Sequence, residues 1–276
     1  MTPLLKSVLL IMTIRSNILM SFFCGKYPII EKSTLAKGIY SVYVDAPELA
    51  DSAQVGQFAN IAAPGFTLRR PISICGIDKE RGTLRFVFEV RGKGTEALAM
   101  LSEGESLDIL GPLGNGFRVL DGKRIIVVGG GIGVPPLLGV SHISGELCTA
   151  IVGFRDYSKI ILVDEFKDNG SNTILCTDDG SVGREGLVTF PLAEELEKGE
   201  TAAVLACGPT PMLKAVVKMC EVYNVPCQVS LEQRMGCGVG ACVVCSCMTV
   251  RNGKEFYSRV CKDGPVFNAE EVKFDG

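Results

Sequence analysis

Near the C-terminus the run Cys237-Gly238-Val239-Gly240-Ala241-Cys242-Val243-Val244-Cys245, with Cys261 sixteen residues further on, leaves few ways to fold. Three thiols at C-x4-C-x2-C with a distant fourth have the spacing that holds a [2Fe–2S] cluster. A tight loop of small residues lets backbone amides approach the sulfides, and Gly236, Gly238 and Gly240 supply that permissive backbone. The fourth cysteine is expected to follow a hairpin. Structural zinc is the competing reading, but zinc ribbons pair two C-x2–4-C knuckles and the second half here offers only Cys261. Cys237, Cys242, Cys245 and Cys261 are therefore the candidate metal ligands. Cys247 lies close enough to exchange with Cys245, yet its place in the alternating run Cys245–Val250 predicts a buried thiol.

The rest of the chain divides by pattern. From Tyr27 to about Leu120, short alternating runs (Ile39–Val44, Gln57–Ala62, Leu84–Val90, Ser106–Leu110) separated by Gly and Pro predict a small antiparallel barrel. Near Gly122 the pattern changes to Lys123-Arg124-Ile125-Ile126-Val127-Val128, an uninterrupted apolar strand of the kind buried in parallel sheets. Thr149–Gly153, Thr173–Thr177 and Ala202–Ala206 follow, each with turn residues and then helical spacing, as in Pro211–Val222. Such alternation predicts a doubly wound α/β domain. After Pro226 helical periodicity stops, so the tail is expected to fold around its metal. The expected organisation is α/β plus all-β: an extension over 1–25, an antiparallel barrel over 26–121, a doubly wound parallel-sheet domain over 122–228, and a small [2Fe–2S] domain over 229–276.

Two glycine-rich or basic motifs point to nucleotides. Arg69-Arg70-Pro71-Ile72-Ser73 at a strand end can hold a flavin phosphate, with proline fixing its direction, and Gly94-Thr95 at a helix start adds amide donors for a pyrophosphate. Alone, this motif reads equally well as a surface arginine and ordinary turns. Val128-Gly129-Gly130-Gly131-Ile132-Gly133-Val134-Pro135-Pro136 follows the apolar strand, where glycines let a dinucleotide approach the backbone. It is not the G-x-G-x-x-G fingerprint, so the ligand pose can differ. Cys207-Gly208-Pro209 ends the Ala202–Ala206 strand, a position where ligands sit in open sheets. Cys207 there either neighbours a nicotinamide ring or is a small buried thiol.

Several classes are excluded or disfavoured. The single histidine, His142, rules out a His-based triad by count and is read as structural. Thr177-Asp178-Asp179-Gly180-Ser181 reads as a turn. A net charge of -3 without a basic run gives no footprint for nucleic acid or an anionic membrane. The apolar N-terminal stretch has only about eight residues between Lys6 and Arg15, too short to span a bilayer. It is expected to be a disordered or mis-assigned extension, with Met12 or Met20 as candidate starts. Reduced, clustered cysteines point to the cytoplasm.

Taken together and in order, R-P-I-S, G-G-G-I-G-V-P-P, T-D-D-G-S, C-G-P and the cysteine cluster resemble the ferredoxin–NADP reductase superfamily. Within it, the likeness is greatest to the electron-transfer subunits of class B, NAD-dependent dihydroorotate dehydrogenases, and it covers about residues 26–270. Val260-Cys261-Lys262-Asp263-Gly264-Pro265-Val266-Phe267 resembles their closing signature. The resemblance implies FAD at Arg70, Pro71, Ile72, Ser73, Val87, Phe88, Glu89, Gly94 and Thr95, and NAD at Gly130, Gly131, Gly133, Gly208 and Pro209 beside Cys207. Relatives often carry Tyr-Arg where this chain has Phe88-Glu89; Phe88 can still pack on a flavin face, while Glu89 brings a negative charge near it. The resemblance further implies an FMN-containing catalytic partner that oxidises dihydroorotate in pyrimidine biosynthesis, in a two-plus-two heterotetramer, with electrons crossing the cluster to FAD and leaving as hydride to NAD+. Related subunits serve ferredoxin, sulfite or sulfur reduction, which keeps a second partner class open. A zinc-stabilised interaction module is the non-enzymatic alternative. Arg155 either serves a 2′-phosphate or faces water, so NAD against NADP is not decided by these residues.

Overall fold

Alternating side chains in the first third of the chain give each strand one apolar face, and the strands bury those faces by curling into a closed sheet. The computed structural model describes residues 8–12 and 20–274. The first elements are β1 (Val8–Met12), β2 (Met20–Ala36), β3 (Ile39–Asp45), α1 (Pro47–Ser52), β4 (Phe58–Ala62), β5 (Arg69–Asp78), β6 (Thr83–Glu89), α2 (Lys93–Ala99) and β7 (Ser106–Leu113). Antiparallel pairing runs β2-β3-β6-β5-β4-β7, and β7 returns to β2, closing a six-stranded barrel. Ile29, Val42, Ile61, Leu84, Phe86 and Ile109 fill it.

The second unit comprises β8 (Ile125–Gly130), α3 (Pro135–Ser144), β9 (Cys148–Phe154), α4 (Val163–Asp168), β10 (Asn172–Thr177), β11 (Arg184–Glu185), α5 (Thr189–Glu197), β12 (Ala203–Cys207), α6 (Thr210–Tyr223) and β13 (Cys227–Ser230). The chain ends with the hairpin β14 (Ser246–Arg251) and β15 (Lys254–Arg259), then β16 (Val266–Asn268). The second sheet has order β11-β10-β9-β8-β12-β13-β16 and is parallel except at β16. Central β8 shows the doubly wound logic: Ile125 and Val127 face α3 and α4, while Ile126 and Val128 face α5 and α6. Because order reverses between β8 and β12, their C-terminal ends diverge into a crevice suited to a ligand.

Two expectations change. The tail does have an apolar core: Val260, Cys245, Cys261 and Phe267 pack with Phe58 and Leu113 of the barrel. Its last strand joins the second sheet as an edge, so the expected boundary between 228 and 229 falls inside β13. The N-terminal stretch, expected to be disordered, is paired where it is described. Val8–Met12 lies antiparallel to Met20–Cys24, and β2 continues along β7 from Phe23. Phe22 is buried in the small core beneath the cysteine loop. Residues 1–7 and 13–19 of the expected extension lie outside the described residues.

Candidate functional site

The site begins where two barrel strands part. β5 pairs with β6 from Asp78↔Thr83 to Ile74↔Phe86 and no further, so Pro71–Ser73 and Val87–Glu89 face each other across a gap instead of a ladder. Pro71 lies opposite Asn60 of β4. Ile74 donates to Gln57, and antiparallel alternation then turns the Pro71 nitrogen away from β4, toward the gap, where no N–H is required.

That gap is a cavity of about 210 Å³ shared by all three parts of the chain. Pro71, Ile72, Ser73, Val87, Phe88, Glu89 and Thr95 line it from the barrel, Ile132 and Cys207 from the second sheet, and Leu231, Glu232, Met235 and Pro265 from the tail. A larger cleft of about 900 Å³ lies further along β6, at Thr83 and Arg85, and none of the expected site residues lines it. Arg70 and Gly94 sit together beside the cavity. A Cβ at Gly94 would fall 2.1 Å from Arg70 Nε, so only glycine lets the guanidinium lie against the helix start. Arg70 donates to the Leu68 carbonyl at 2.6 Å, and its guanidinium stands 5.2 Å from the Phe66 ring centroid. Thr95 Oγ1 accepts from the Arg91 and Gly92 amides at the start of α2.

Phe88 has contacts on both sides. It lines the cavity, yet as a residue it is only 4% exposed and its ring packs on Tyr40 inside the barrel, centroids 6.1 Å apart. The Glu89 charge is compensated. Burial would raise its pKa, but hydrogen bonds from Arg91 Nε and Lys159 Nζ, each 3.0 Å, hold the carboxyl below the usual range. Lys159 comes from the turn that follows β9, and Arg91 also reaches Glu232 of the tail at 4.0 Å, so one chain of charges rims the cavity across all three parts. Arg91, Ile132, Leu231, Glu232, Met235 and Pro265 are cavity or rim residues outside the expected site; Ile132 and Pro265 lie inside quoted motifs and Met235 is near Cys237, whereas no local signal marks Arg91, Leu231 or Glu232.

The two nucleotide loops interlock at the crevice. A Cβ at Gly133 would lie 2.5 Å from the Cys207 carbonyl oxygen, and one at Gly130 would lie 3.0 Å from Pro209 Cδ. Gly208 packs on Gly130 in turn. These glycines let two loops touch, whereas Gly131, at φ +54, opens onto free space. Pro135 and Pro136 open α3, so its first turn lacks two amide donors and an anion there must rely on the glycine loop. Cys207 is 3% exposed, and burial, with the Glu232 charge adding, pushes its thiol up to about 12. It is a neutral neighbour of the cavity, not a thiolate. Arg155 is exposed just past β9, and exposed His142 pairs with Asn169. Thr177–Ser181 is a turn closed by the Gly180 amide on the Thr177 carbonyl.

The cysteine loop brings its four sulfurs together as two pairs. The Cys237 amide donates to Cys242 Sγ and the Cys261 amide to Cys245 Sγ, each at 3.4 Å. Amides of Val239, Ala241 and Cys242 donate to Cys237 Sγ at 3.3–3.4 Å, and Gly240 donates to Cys261 Sγ at 3.1 Å. Burial would raise the Cys237 thiol, yet those amides outweigh it and bring it to about 7. Burial and the neighbouring Cys245 sulfur raise Cys261 to about 12. Among the described residues no three Cys, His, Asp or Glu side chains converge so as to hold a single ion. Two thiol pairs joined by a net of amides suit two bridged irons better than one zinc. Cys247 is half-buried on β14 opposite Ser258, rather than fully buried, with its thiol raised by burial to about 11. Cys242 is the exposed member of the four, flanked by exposed Val243 and Val244.

Comparison with known proteins agrees with this geometry. Residues 232–273 match the family described as the iron–sulfur cluster binding domain of dihydroorotate dehydrogenase B. The chain is 45% identical over 222 residues to the dihydroorotate dehydrogenase B (NAD(+)) electron transfer subunit of Caldanaerobacter subterraneus subsp. tengcongensis, covering 79% of this chain and 87% of that one. It is 40% identical over 261 residues to the subunit of the same name from Clostridium perfringens, covering 92% and 99%. Among solved structures, an NADH-dependent reduced ferredoxin–NADP oxidoreductase superposes with a TM-score of 0.80 at 31% identity, over 91% of this chain and 90% of that chain. The cytochrome b5 reductase domain of Ulva prolifera nitrate reductase shares the fold at a TM-score of 0.60 and 18% identity, over 73% and 93%.

Proposed function

The chain belongs to the family of dihydroorotate dehydrogenase B (NAD(+)) electron transfer subunits, and from that premise we propose that it carries electrons from a dihydroorotate-oxidising, FMN-containing catalytic subunit to NAD+ through a [2Fe–2S] cluster and FAD. The single observation that carries this reading is the shared cavity, in which the flavin strands, the nicotinamide crevice and the tail that leads to the cysteines meet at one point. The two cofactors, when bound, supply exchange between one-electron and two-electron steps. The protein supplies the rest. Arg70 against Gly94, with Thr95, receives the phosphates of FAD; Pro71, Ile72, Ser73, Val87, Phe88 and Glu89 bound the flavin. Gly130, Gly131, Gly133, Gly208 and Pro209 shape the NAD crevice, and neutral Cys207 stands beside the nicotinamide and keeps its proton. Cys237, Cys242, Cys245 and Cys261 hold the irons.

In this reading residues 26–121 form the FAD domain, 122–228 the NAD domain and 229–276 the cluster domain, with β16 lent back to the second sheet. The partner docks over exposed Cys242, Val243 and Val244, and a two-plus-two heterotetramer follows from the family. The chain works in the cytoplasm, where thiols stay reduced; no helix among the described residues is long and apolar enough to cross a membrane. The likeness to the ferredoxin–NADP oxidoreductase favours a second partner class, ferredoxin-linked reduction. Affinity purification of the tagged chain under anaerobic conditions decides. Recovery of an FMN protein that oxidises dihydroorotate supports the assignment, and recovery of an iron–sulfur reductase without it refutes it.

A further inference from the structure

Strand β4 carries a buried amide among apolar neighbours. Asn60 is 0% exposed, between Ala59 and Ile61, which are each 1% exposed. Its Oδ1 is one of two buried side-chain polar atoms without a hydrogen-bond partner among the described residues, the other being Ser144 Oγ. An apolar side chain of similar size would fill this place without leaving an amide oxygen unpaired.

The donor end of the amide faces the cysteine loop. Asn60 Nδ2 donates to the carbonyl of Cys237 at 3.5 Å. The loop rests directly on it, since a Cβ at Gly238 would lie 2.6 Å from Nδ2, and Gly238 has φ +77. On its other side Asn60 stands opposite Pro71, which lines the cavity, and its carbonyl accepts from Arg69 Nη1 at 3.2 Å. One residue therefore touches the first cysteine of the loop through its side chain and the flavin strand through its backbone. Groups that hold ligand-bearing backbone set ligand orientation, and dipoles beside an iron–sulfur cluster tune its electronics.

We propose that Asn60 is a positioning residue that ties the cluster loop to the flavin strand, its amide fixing Cys237 and Gly238 against β4 so that the cluster takes electrons in step with the flavin. This rests on the functional reading above. The test uses the full chain reconstituted anaerobically with FAD, iron and sulfide, comparing wild type with Asn60→Leu. The g-values of the reduced cluster are read by electron paramagnetic resonance, and flavin and cluster absorbances are followed separately after mixing with NADH. The expected result is altered g-values and cluster reduction that lags flavin reduction by roughly tenfold or more, the range for loss of an outer-shell partner. Unchanged g-values with cluster reduction in step would overturn the proposal. So would low cluster content in which the remaining clusters have wild-type spectra and rates, because that is a purely structural effect. If Asn60→Leu does not fold, Asn60→Ala removes the donor without adding bulk or charge and decides on the same readouts. A wild-type chain that takes up no cluster would overturn the functional reading itself, before any variant is compared.

Discussion

Arg85 places a cation in the wall between barrel and second sheet, and its loss of partner should be measurable. Its side chain is 7% exposed; Nε donates to Ser41 Oγ at 2.8 Å, and the guanidinium lies 5.1 Å from the Tyr43 ring centroid. Both terminal nitrogens bond the Glu165 carboxylate of α4, Nη2 at 3.0 Å, and this pair joins Glu89–Lys159 in clamping β6 to the second unit. Burial works against the charge, but the Glu165 bond raises the guanidinium pKa on balance, so the cation stays. Removing one partner of a fully buried pair costs about 3–5 kcal/mol. Glu165 is 41% exposed, so water partly replaces it, and about 2 kcal/mol is the working figure for Glu165→Gln. At roughly 2–4 °C per kcal/mol for a chain of this size, the melting midpoint should fall by about 4–8 °C. Arg85→Met removes the charge that Glu165 answers, so the double variant should be more stable than the sum of the singles predicts by about 1 kcal/mol or more. Thermal and urea unfolding of the four flavin-free proteins gives both numbers. A midpoint shift under about 1 °C for Glu165→Gln, or strict additivity, would refute the argument.

Gly94→Ala drives a methyl into the Arg70 guanidinium, and FAD dissociation, followed by flavin fluorescence, should become roughly tenfold more favourable, about 1.4 kcal/mol. Cys207 stays protonated because its thiol is raised to about 12, so the pH dependence of flavin bleaching by NADH should be parallel for wild type and Cys207→Ala from roughly pH 6 to 9. A step removed by the substitution would show a thiolate at work. Glu89 has a lowered pKa, so its ion pairs stabilise the protein fully above the unfolded-state value of 4.5 and lose effect as pH falls through the lower folded-state value. Urea midpoints of wild type and Glu89→Gln should differ near neutrality and converge in acid; a gap that persists in acid contradicts the ion-pair account.

Local patterns carried much of the fold. Alternation in Ile39–Val44 and the continuous run ending at Val128 each produced the strand expected, β3 and β8, because period and burial are set by near neighbours. The cysteine spacing drew attention to four thiols that lie close together, three because a short loop leaves them little freedom and Cys261 because the β14–β15 hairpin returns it to Gly240 and Cys245. What escaped depends on distant pairing. Phe22 belongs to the core only because β2 meets β7, and Leu231 and Glu232 reach the cavity only because β13 carries them to the end of β12. The packing of Phe88 on Tyr40 likewise rests on the register of β3 with β6. The compensation of Glu89 needed Lys159, seventy residues away, and no local pattern announces such a partner.

The most direct test of the account is an anaerobic titration of the reconstituted chain with NADH, with FAD, iron and acid-labile sulfide assayed on the same sample. The account predicts one FAD and about two irons and two sulfides per chain, bleaching of the flavin bands, and a paramagnetic signal from the reduced cluster. A colourless protein that binds zinc at the four cysteines and leaves NADH unoxidised would contradict it.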